Sequence, residues 1–168
     1  MQQQVAITGL GVVSSIGLDV QSVAASLRDA RSGIRTMQVP PLQRDVAAGA
    51  IDASFEDAFT RLELPFLDRC QQMAILAARQ AVEDAGFDRF DAFGQRAVGR
   101  VAGLYEGNVH GGVASAQAWY QQMLLEGKQA SRPYSAMAIM GNAGAAQVAL
   151  RHKVLGPVVT NATACGSS

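Results

Sequence analysis

The residue whose type and setting could do chemistry lies near the end of the sequence, in the run VVTNATACGSS. Cys165 follows a predicted apolar strand and precedes three small residues that begin a tight turn. Backbone N–H groups at such a turn favour a thiolate, and they can also hold the oxyanion of a tetrahedral intermediate. A free cysteine also fits an inert core position, so the spacing alone leaves both interpretations open.

The other cysteine and the two histidines offer no clear partner for this thiol. Cys70 falls in a stripe of alanines at helical spacing, which indicates a core position. His110 lies in a glycine-rich loop and His152 near the end of a predicted helix, and the sequence shows no carboxylate partner for either. We therefore assign no general base to Cys165. The absence of a CxxC motif or a His/Cys cluster also argues against zinc.

A glycine turn near the N-terminus, TGLGVVSSIG, resembles the start of a dinucleotide-binding turn. That turn needs a third glycine, so that a helix can pack closely over a pyrophosphate, and Ser14 takes its place here. No acidic residue ends a clear second strand to hold a ribose. We interpret the segment as a tight turn between two packed elements, and we expect no nucleotide cofactor.

Composition limits the classes of function. The chain has 168 residues, 49% of them hydrophobic and 17% charged, which fits one globular domain. Its 14 basic residues equal its 14 acidic ones, which argues against binding to nucleic acid or to an anionic membrane. The N-terminus lacks the pattern of a signal peptide, and no stretch is long and apolar enough for membrane insertion. We expect a soluble protein of the cytoplasm.

The elements that must position Cys165 alternate along the chain. Asp19 is predicted to cap a helix that runs to about Ala30 and is ended by Gly33. Asp68 forms a capping box with Gln71 for the longest helix, which Gly86 ends. The alanine stripe of that helix predicts close packing against another element. Strands are predicted at residues 4–11, 43–51, 97–105 and 158–162, and further helices at residues 54–61, 113–126 and 136–152. This alternation indicates an α/β fold with a mainly parallel sheet.

Four segments resemble the β-ketoacyl-acyl carrier protein synthases, or ketosynthases, which belong to the thiolase-like fold. They are VAITGLGVVSSIG, SGI at residues 32–34, LDRCQQMAILAARQAVEDAG and LRHKVLGPVVTNATACGSS. The resemblance runs in order from Val5 to Ser168, and it favours the catalytic interpretation of Cys165. It implies a layered thiolase-like α/β fold, of which residues 1–168 form the N-terminal half, incomplete without a C-terminal half.

The resemblance implies a decarboxylating Claisen condensation in fatty acid or polyketide synthesis. Cys165 would take an acyl group from an acyl carrier protein as a thioester, with its own backbone N–H as one oxyanion donor. A malonyl-carrier protein would then lose carbon dioxide, and its carbanion would attack the acyl carbon. The implied partners are acyl carrier protein, malonyl and acyl thioesters, and a second ketosynthase chain in a homodimer or heterodimer. No metal or redox cofactor is implied.

The same resemblance implies three substrate-binding residues. It places His110 where family members have a gate residue that helps to set the depth of the acyl pocket. It places Tyr134 and Met140 in the segment that lines the acyl tunnel near the dimer interface. Two departures from the family pattern bear on the identity of the substrate. Gly-Ser-Ser after Cys165 is closer to polyketide-type members, and the polar residue His110 at the gate position suggests an unusual acyl chain.

Length is the largest departure from the family. Its members are more than twice as long, and their two catalytic histidines and a lysine lie in the C-terminal half. We therefore expect residues 1–168 alone to be inactive and unstable. One alternative is a non-catalytic chain-length partner of a ketosynthase, although such partners usually replace the nucleophile that Cys165 retains. The other is a thiol-dependent acyltransferase or hydrolase on an unrelated fold.

Overall fold

The computed structural model describes residues 4–39, 42–87, 102–128 and 135–167. The chain divides into two compact units. Residues 1–54 and 76–86 form the first unit, and residues 55–75 and 87–168 form the second. The longest helix, α2 (Arg69–Asp84), contributes residues 69–75 to the second unit and residues 76–84 to the first.

In the first unit, helix α1 (Val20–Arg28) begins where the sequence predicts. The Asp19 carboxylate accepts a hydrogen bond from the Ser22 N–H at 2.7 Å, and the Ser22 hydroxyl accepts one from the Asp19 N–H at 3.3 Å. This is a reciprocal capping box. The helix ends at Arg28, two residues before the predicted end near Ala30, because Ala30 takes the left-handed conformation, φ 52°, that closes many helices.

Residues 4–13 take no strand conformation, so the strand predicted at residues 4–11 is not formed. The Leu10 N–H donates to the Asp84 carboxylate at 2.9 Å, and the Val12 N–H donates to the side-chain oxygen of Gln80 at 3.0 Å. Both acceptors lie on α2. This segment therefore satisfies backbone N–H groups with helix side chains rather than with a neighbouring strand.

The alanine stripe of α2 packs closely, as the sequence predicts. A Cβ on Gly9 would lie 2.1 Å from the Ala81 carbonyl oxygen, and one on Gly11 would lie 1.9 Å from the Ala77 carbonyl oxygen. The N-terminal segment thus approaches the helix backbone to backbone. Gly86 ends α2 with a φ of +77°, as predicted.

The first unit also contains an antiparallel pair of strands, β1 (Arg35–Gln38) and β2 (Asp45–Ala48). Their register pairs Arg35 with Ala48 and Gln38 with Asp45. The sequence predicts β2 but not β1, whose apolar and polar residues do not alternate clearly enough to mark a strand.

The second unit contains the parallel pair β3 (Leu104–Gly107) and β4 (Val158–Asn161), with Glu106 opposite Thr160. The strand predicted at residues 158–162 is therefore confirmed. The one predicted at residues 97–105 falls partly outside the described residues and is not fully buried, since Tyr105 is 76% exposed. The described strands form one parallel and one antiparallel pair, so the expected mainly parallel sheet is only partly present.

Three predicted helices of the second unit differ in their details. The helix predicted at residues 113–126 is α3 (Val113–Tyr120), continued by a π-helical turn at Gln121–Leu125. The single helix predicted at residues 136–152 is two, α4 (Ser135–Ile139) and α5 (Ala143–Arg151), separated by a turn at residues 140–142. The helix predicted at residues 54–61 is only a 3-10 turn, Glu56–Ala58, between two buried phenylalanines.

The core of the second unit combines small apolar side chains with a few larger ones. Its buried apolar residues are Phe55, Phe59, Leu67, Ile75, Ala138, Ala143, Ala145, Val148 and Ala149. Many large apolar side chains are exposed instead, among them Val5, Ile7, Leu62, Leu125, Leu150 and Leu155. Within the described residues, no helix has the length and hydropathy needed to cross a bilayer.

Candidate functional site

Cys165 lies on a 3-10 turn, Ala164–Ser167, that follows β4 after two intervening residues. Its thiol is free and the residue is exposed. The Gly166 N–H donates to the Thr163 carbonyl at 3.1 Å, and the Thr163 N–H donates to the Ser167 hydroxyl at 2.9 Å. These bonds close the turn at both ends and leave the cysteine at the surface of the described part of the chain.

The residue before the cysteine has an unusual backbone conformation. Ala164 has a φ of 53°, in the left-handed region, which costs a non-glycine residue about 1–2 kcal/mol. Ala30 and Lys153 share this conformation, but each of them immediately follows the cap residue that ends a helix. Ala164 follows no helix. Backbone strain of this kind concentrates at functional sites, and here it sets the direction of the turn that carries Cys165.

The end of β3 supports this turn. A Cβ on Gly107 would lie 2.0 Å from the Ser167 carbonyl oxygen, so the two backbones touch. The Asn108 N–H donates to the Asn161 carbonyl at 3.0 Å, which continues the parallel ladder one residue past the end of β3. The Cys165 turn is therefore held against β3 as well as at its own ends.

The loop of residues 108–112, here called the His110 loop, runs from β3 to α3. His110 is exposed within it. Gly112 has a φ of +78°, and a Cβ there would lie 2.4 Å from the Ala138 carbonyl oxygen on α4. Met140 follows α4 directly and is 54% exposed. The loop thus begins beside the Cys165 turn and ends against the helix that precedes Met140. Tyr134 lies outside the described residues.

Asp68 connects two helices that border the His110 loop. Its carboxylate accepts hydrogen bonds from the Cys70 N–H at 2.9 Å, the Ser115 N–H at 2.8 Å and the Ser115 hydroxyl at 2.7 Å. The Asp68 N–H donates to the Gln71 side-chain oxygen at 3.3 Å, as the predicted capping box requires. The sequence predicts the cap on α2 but not the bonds to the first turn of α3, which join residues 47 positions apart.

Glu106, on β3, is a second carboxylate that accepts hydrogen bonds from distant parts of the chain. The sequence gives no sign of these bonds. Its Oε2 accepts hydrogen bonds from the Ala145 N–H and from the Thr160 hydroxyl, both at 3.1 Å. Its Oε1 lies 3.5 Å from the Asn108 side-chain nitrogen. Sequence separations of 39 and 54 residues hide these contacts from pattern reasoning.

Cys70 is half-buried and lies near both carboxylates. Burial raises the pKa of its thiol, and the negative charges of Asp68 and Glu106 raise it further, while a hydrogen bond from Asn108 acts in the opposite direction. The Asn108 nitrogen is 3.9 Å from the Cys70 sulfur. This thiol is therefore held in its protonated, unreactive form.

The two cysteines are expected to differ in reactivity. A raised pKa leaves less thiolate on Cys70 at a given pH, and the residue is also less accessible than Cys165. With limiting iodoacetamide at pH 8, peptide mass spectrometry should find Cys165 modified at least about tenfold faster. A faster reaction at Cys70 would contradict the assignment, and alkylation in denaturant, where the two rates should converge, is the control.

Among the grooves that the described residues form, three open ones are lined by residues other than Cys165. One, of about 600 Å³, lies between α5 and β4 and is lined mainly by Ala149, Leu150, Val154 and Leu155. A second, of about 400 Å³, is lined by Leu62, Phe66, Met137 and neighbouring residues. The third, of about 470 Å³, is lined by residues of the first unit that include Asp19 and Asp84. No group of three or more possible metal ligands occurs in the described ranges.

Known proteins similar to this chain carry related names. It is 30% identical over 164 residues to 3-oxoacyl-[acyl-carrier-protein] synthase 1 of Haemophilus influenzae, covering 96% of this chain and 39% of that protein. It is 30% identical over 174 residues to nodulation protein E of a Rhizobium species, covering 100% of this chain and 41% of that protein. The chain therefore spans about two fifths of the length of these relatives.

Solved structures agree with the sequence relatives. The ishigamide ketosynthase/chain length factor superposes with a TM-score of 0.76 at 29% identity, covering 94% of this chain and 39% of that chain. A β-ketoacyl synthase from Burkholderia phymatum superposes with a TM-score of 0.72 at 21% identity, which supports the thiolase-like fold. Residues 2–168 match the family described as Beta-ketoacyl synthase, N-terminal domain. The chain therefore belongs to the β-ketoacyl synthase family.

Proposed function

We propose that this chain provides the nucleophile of a β-ketoacyl-acyl carrier protein synthase, and that Cys165 is that nucleophile. The observation that carries the proposal is the exposed thiol on a strained, hydrogen-bonded turn after β4, in a chain that matches the family over residues 2–168. An exposed thiol on a fixed turn is accessible to a thioester carried by a partner protein. Cys70, with its raised pKa, does not offer this.

The proposed reaction has two half-reactions. The Cys165 thiolate attacks the carbonyl carbon of an acyl thioester, and the thiol of the carrier protein leaves. Malonyl-carrier protein then loses carbon dioxide, and the electron pair of the broken carbon–carbon bond forms the nucleophile. That carbon attacks the acyl carbon and expels the Cys165 thiolate, so the chain grows by two carbons. We propose the backbone N–H of Cys165 as one donor to the oxyanion of each tetrahedral intermediate.

We propose further that residues 1–168 act together with a C-terminal half that supplies two histidines and a lysine. Two findings support this. The chain covers about two fifths of its relatives, 39% and 41% in the examples given, and many large apolar side chains are exposed. A chain limited to residues 1–168 is then inactive in condensation.

The proposed partners are acyl carrier protein, malonyl and acyl thioesters, and a second ketosynthase chain. The ishigamide ketosynthase/chain length factor is, by its name, a pair of unlike chains, which supports a heterodimer as an alternative to a homodimer. We propose the cytoplasm as the place of action.

His110, Tyr134 and Met140 are proposed as residues of the acyl pocket. The His110 loop begins beside the Cys165 turn, and both His110 and Met140 are exposed. Replacing His110 with isoleucine should make the gate apolar and shift the distribution of product lengths. Mass spectrometry of the carrier-bound products measures this shift, and an unchanged distribution would remove His110 from the pocket. Gln117→Ala, a change at an exposed position of α3, is a suitable control.

The experiment that tests the proposed function uses the full-length protein. Incubation with acyl-carrier protein should add the mass of one acyl group to Cys165, and added malonyl-carrier protein should convert it into an extended product. No adduct should form in Cys165→Ala, and Cys70→Ala should behave as the wild type. An adduct without extension would indicate plain acyl transfer, and an adduct on Cys70 alone would refute the assignment.

A further inference from the structure

The side chain of Glu106 joins three elements around the Cys165 turn. It extends from β3, and its Oε2 accepts one hydrogen bond from the Thr160 hydroxyl on β4 and one from the Ala145 N–H in the first turn of α5, each at 3.1 Å. Glu106 and Thr160 are direct partners in the parallel register, so both side chains lie on the same face of the strand pair. A single carboxylate therefore fixes β3, β4 and α5 to one another.

The backbone around Glu106 is shaped to admit this carboxylate. A Cβ on Gly144, within α5, would lie 2.1 Å from Glu106 Oε1, so that any larger residue would displace the side chain. The Ala145 N–H belongs to the first turn of a nine-residue helix, where N–H groups have no acceptor within the helix itself. A negative charge is favoured at this end of a helix. Hydrogen bonds to a charged acceptor contribute more than neutral ones, and the half-buried position shields them from water.

The same strand end contacts the turn that carries the nucleophile. Gly107 follows Glu106 and touches the Ser167 carbonyl, while Thr160 lies five positions before Cys165. A shift of β3 relative to β4 would move both supports of the turn together. We propose that Glu106 is a positioning residue, which fixes the Cys165 turn by holding β3, β4 and α5 in register. This inference rests on the proposed role of Cys165.

Two variants separate the hydrogen bonds of Glu106 from its charge. Glu106→Leu removes every acceptor, which leaves the Ala145 N–H and the Thr160 hydroxyl without their partner. Glu106→Gln keeps the shape and one oxygen that can accept both bonds. Thr160→Val removes only the bond to β4. Gly141→Ala is the matched control, because a Cβ at Gly141 meets no atom within 4 Å.

The first measurement is amide hydrogen exchange of the full-length protein, which does not depend on catalysis. Glu106→Leu should speed exchange in residues 158–167 and in the first turn of α5 by about tenfold, with Thr160→Val intermediate. Exchange in α1 and in the β1–β2 pair should not change. Glu106→Gln should stay within about threefold of the wild type. Unchanged exchange in Glu106→Leu, or equal effects of Leu and Gln, would overturn the inference.

The second measurement is the single-turnover rate of acylation of Cys165. Glu106→Leu should lower this rate by about tenfold, with the carrier-protein concentration at half-maximal rate unchanged, since only the geometry of the nucleophile is altered. If wild type forms no adduct on Cys165, the proposed function fails while the exchange measurement still decides the role of Glu106. If Glu106→Leu does not fold, Thr160→Val and Glu106→Gln decide it by the same criteria.

Discussion

Replacing Cys165 with serine is expected to lower the condensation rate of the full-length protein by at least about 1,000-fold. A thiol supplies some thiolate near neutral pH without help, whereas a serine hydroxyl requires an adjacent base. A serine hydroxyl is far less acidic than a thiol, so the oxygen nucleophile would remain protonated. Rapid-quench measurement of acyl transfer gives the loss directly.

The control for this result is Cys70→Ser. Cys70 lies beside Asn108 in a half-buried place with a raised pKa, so its replacement should leave acyl transfer within about threefold of wild type. Near-normal condensation by Cys165→Ser would show that the nucleophile lies elsewhere. The melting temperature of both variants should match that of wild type, since neither change adds volume.

The second large effect is expected for Gly107→Ala. The new methyl group would lie 2.0 Å from the Ser167 carbonyl oxygen and 2.8 Å from the Ser167 carbonyl carbon, both of them backbone atoms. Relief requires movement of the Cys165 turn or of β3. We expect the free energy of unfolding to fall by about 1–3 kcal/mol, as for other overpacked sites. Because misplacement of a reacting group by about 1 Å can cost 100-fold, acylation of Cys165 should fall by at least about tenfold.

Gly141→Ala is again the control, since it adds the same methyl group in open space. Thermal melting followed by circular dichroism and the single-turnover acylation rate are the two measurements. A Gly107→Ala variant that acylates at the wild-type rate would show that contact between β3 and the Cys165 turn does not matter for the chemistry.

Local signals account for the parts of the fold that the sequence predicts. The Asp19 cap, the Asp68–Gln71 pair, the glycine that ends α2 and the strand before Cys165 all depend on residues close together in the chain. Each is decided by backbone hydrogen bonds or by φ preferences within a few positions, so a single sequence contains the necessary information.

The predictions that are wrong have one distant and one local cause. Residues 4–11 have the apolar character of a strand, but α2 supplies the hydrogen-bond acceptors for the N–H groups of Leu10 and of nearby Val12. The small-residue helix predicted at residues 136–152 is interrupted around Gly141, where helix propensity is weak and the following residue makes no side-chain cap bond. A propensity averaged over a whole window registers neither the distant acceptors nor the effect of a single glycine.

The residues of the candidate site also divide into those that the sequence indicates and those that it does not. Cys165 is suggested by a short motif and by the family resemblance, and the structure shows it exposed. Glu106 and the second role of Asp68 act through residues 39 to 54 positions away, so no local pattern marks them. The strain at Ala164 is equally hidden, because alanine gives no sign of a left-handed backbone.

The contact between the N-terminal segment and α2 has a consequence for how this family member can vary. A Cβ on Gly9 or Gly11 would first meet a carbonyl oxygen of the helix, and the side-chain atom nearest to Gly9 is only the Cβ of Ala85. An enlarged residue at either position cannot be accommodated by a smaller partner on α2, because the alanines there already present little beyond main chain. A compensating mutation on α2 therefore cannot relieve this steric conflict. The two glycines can change only if the segment moves away from the helix.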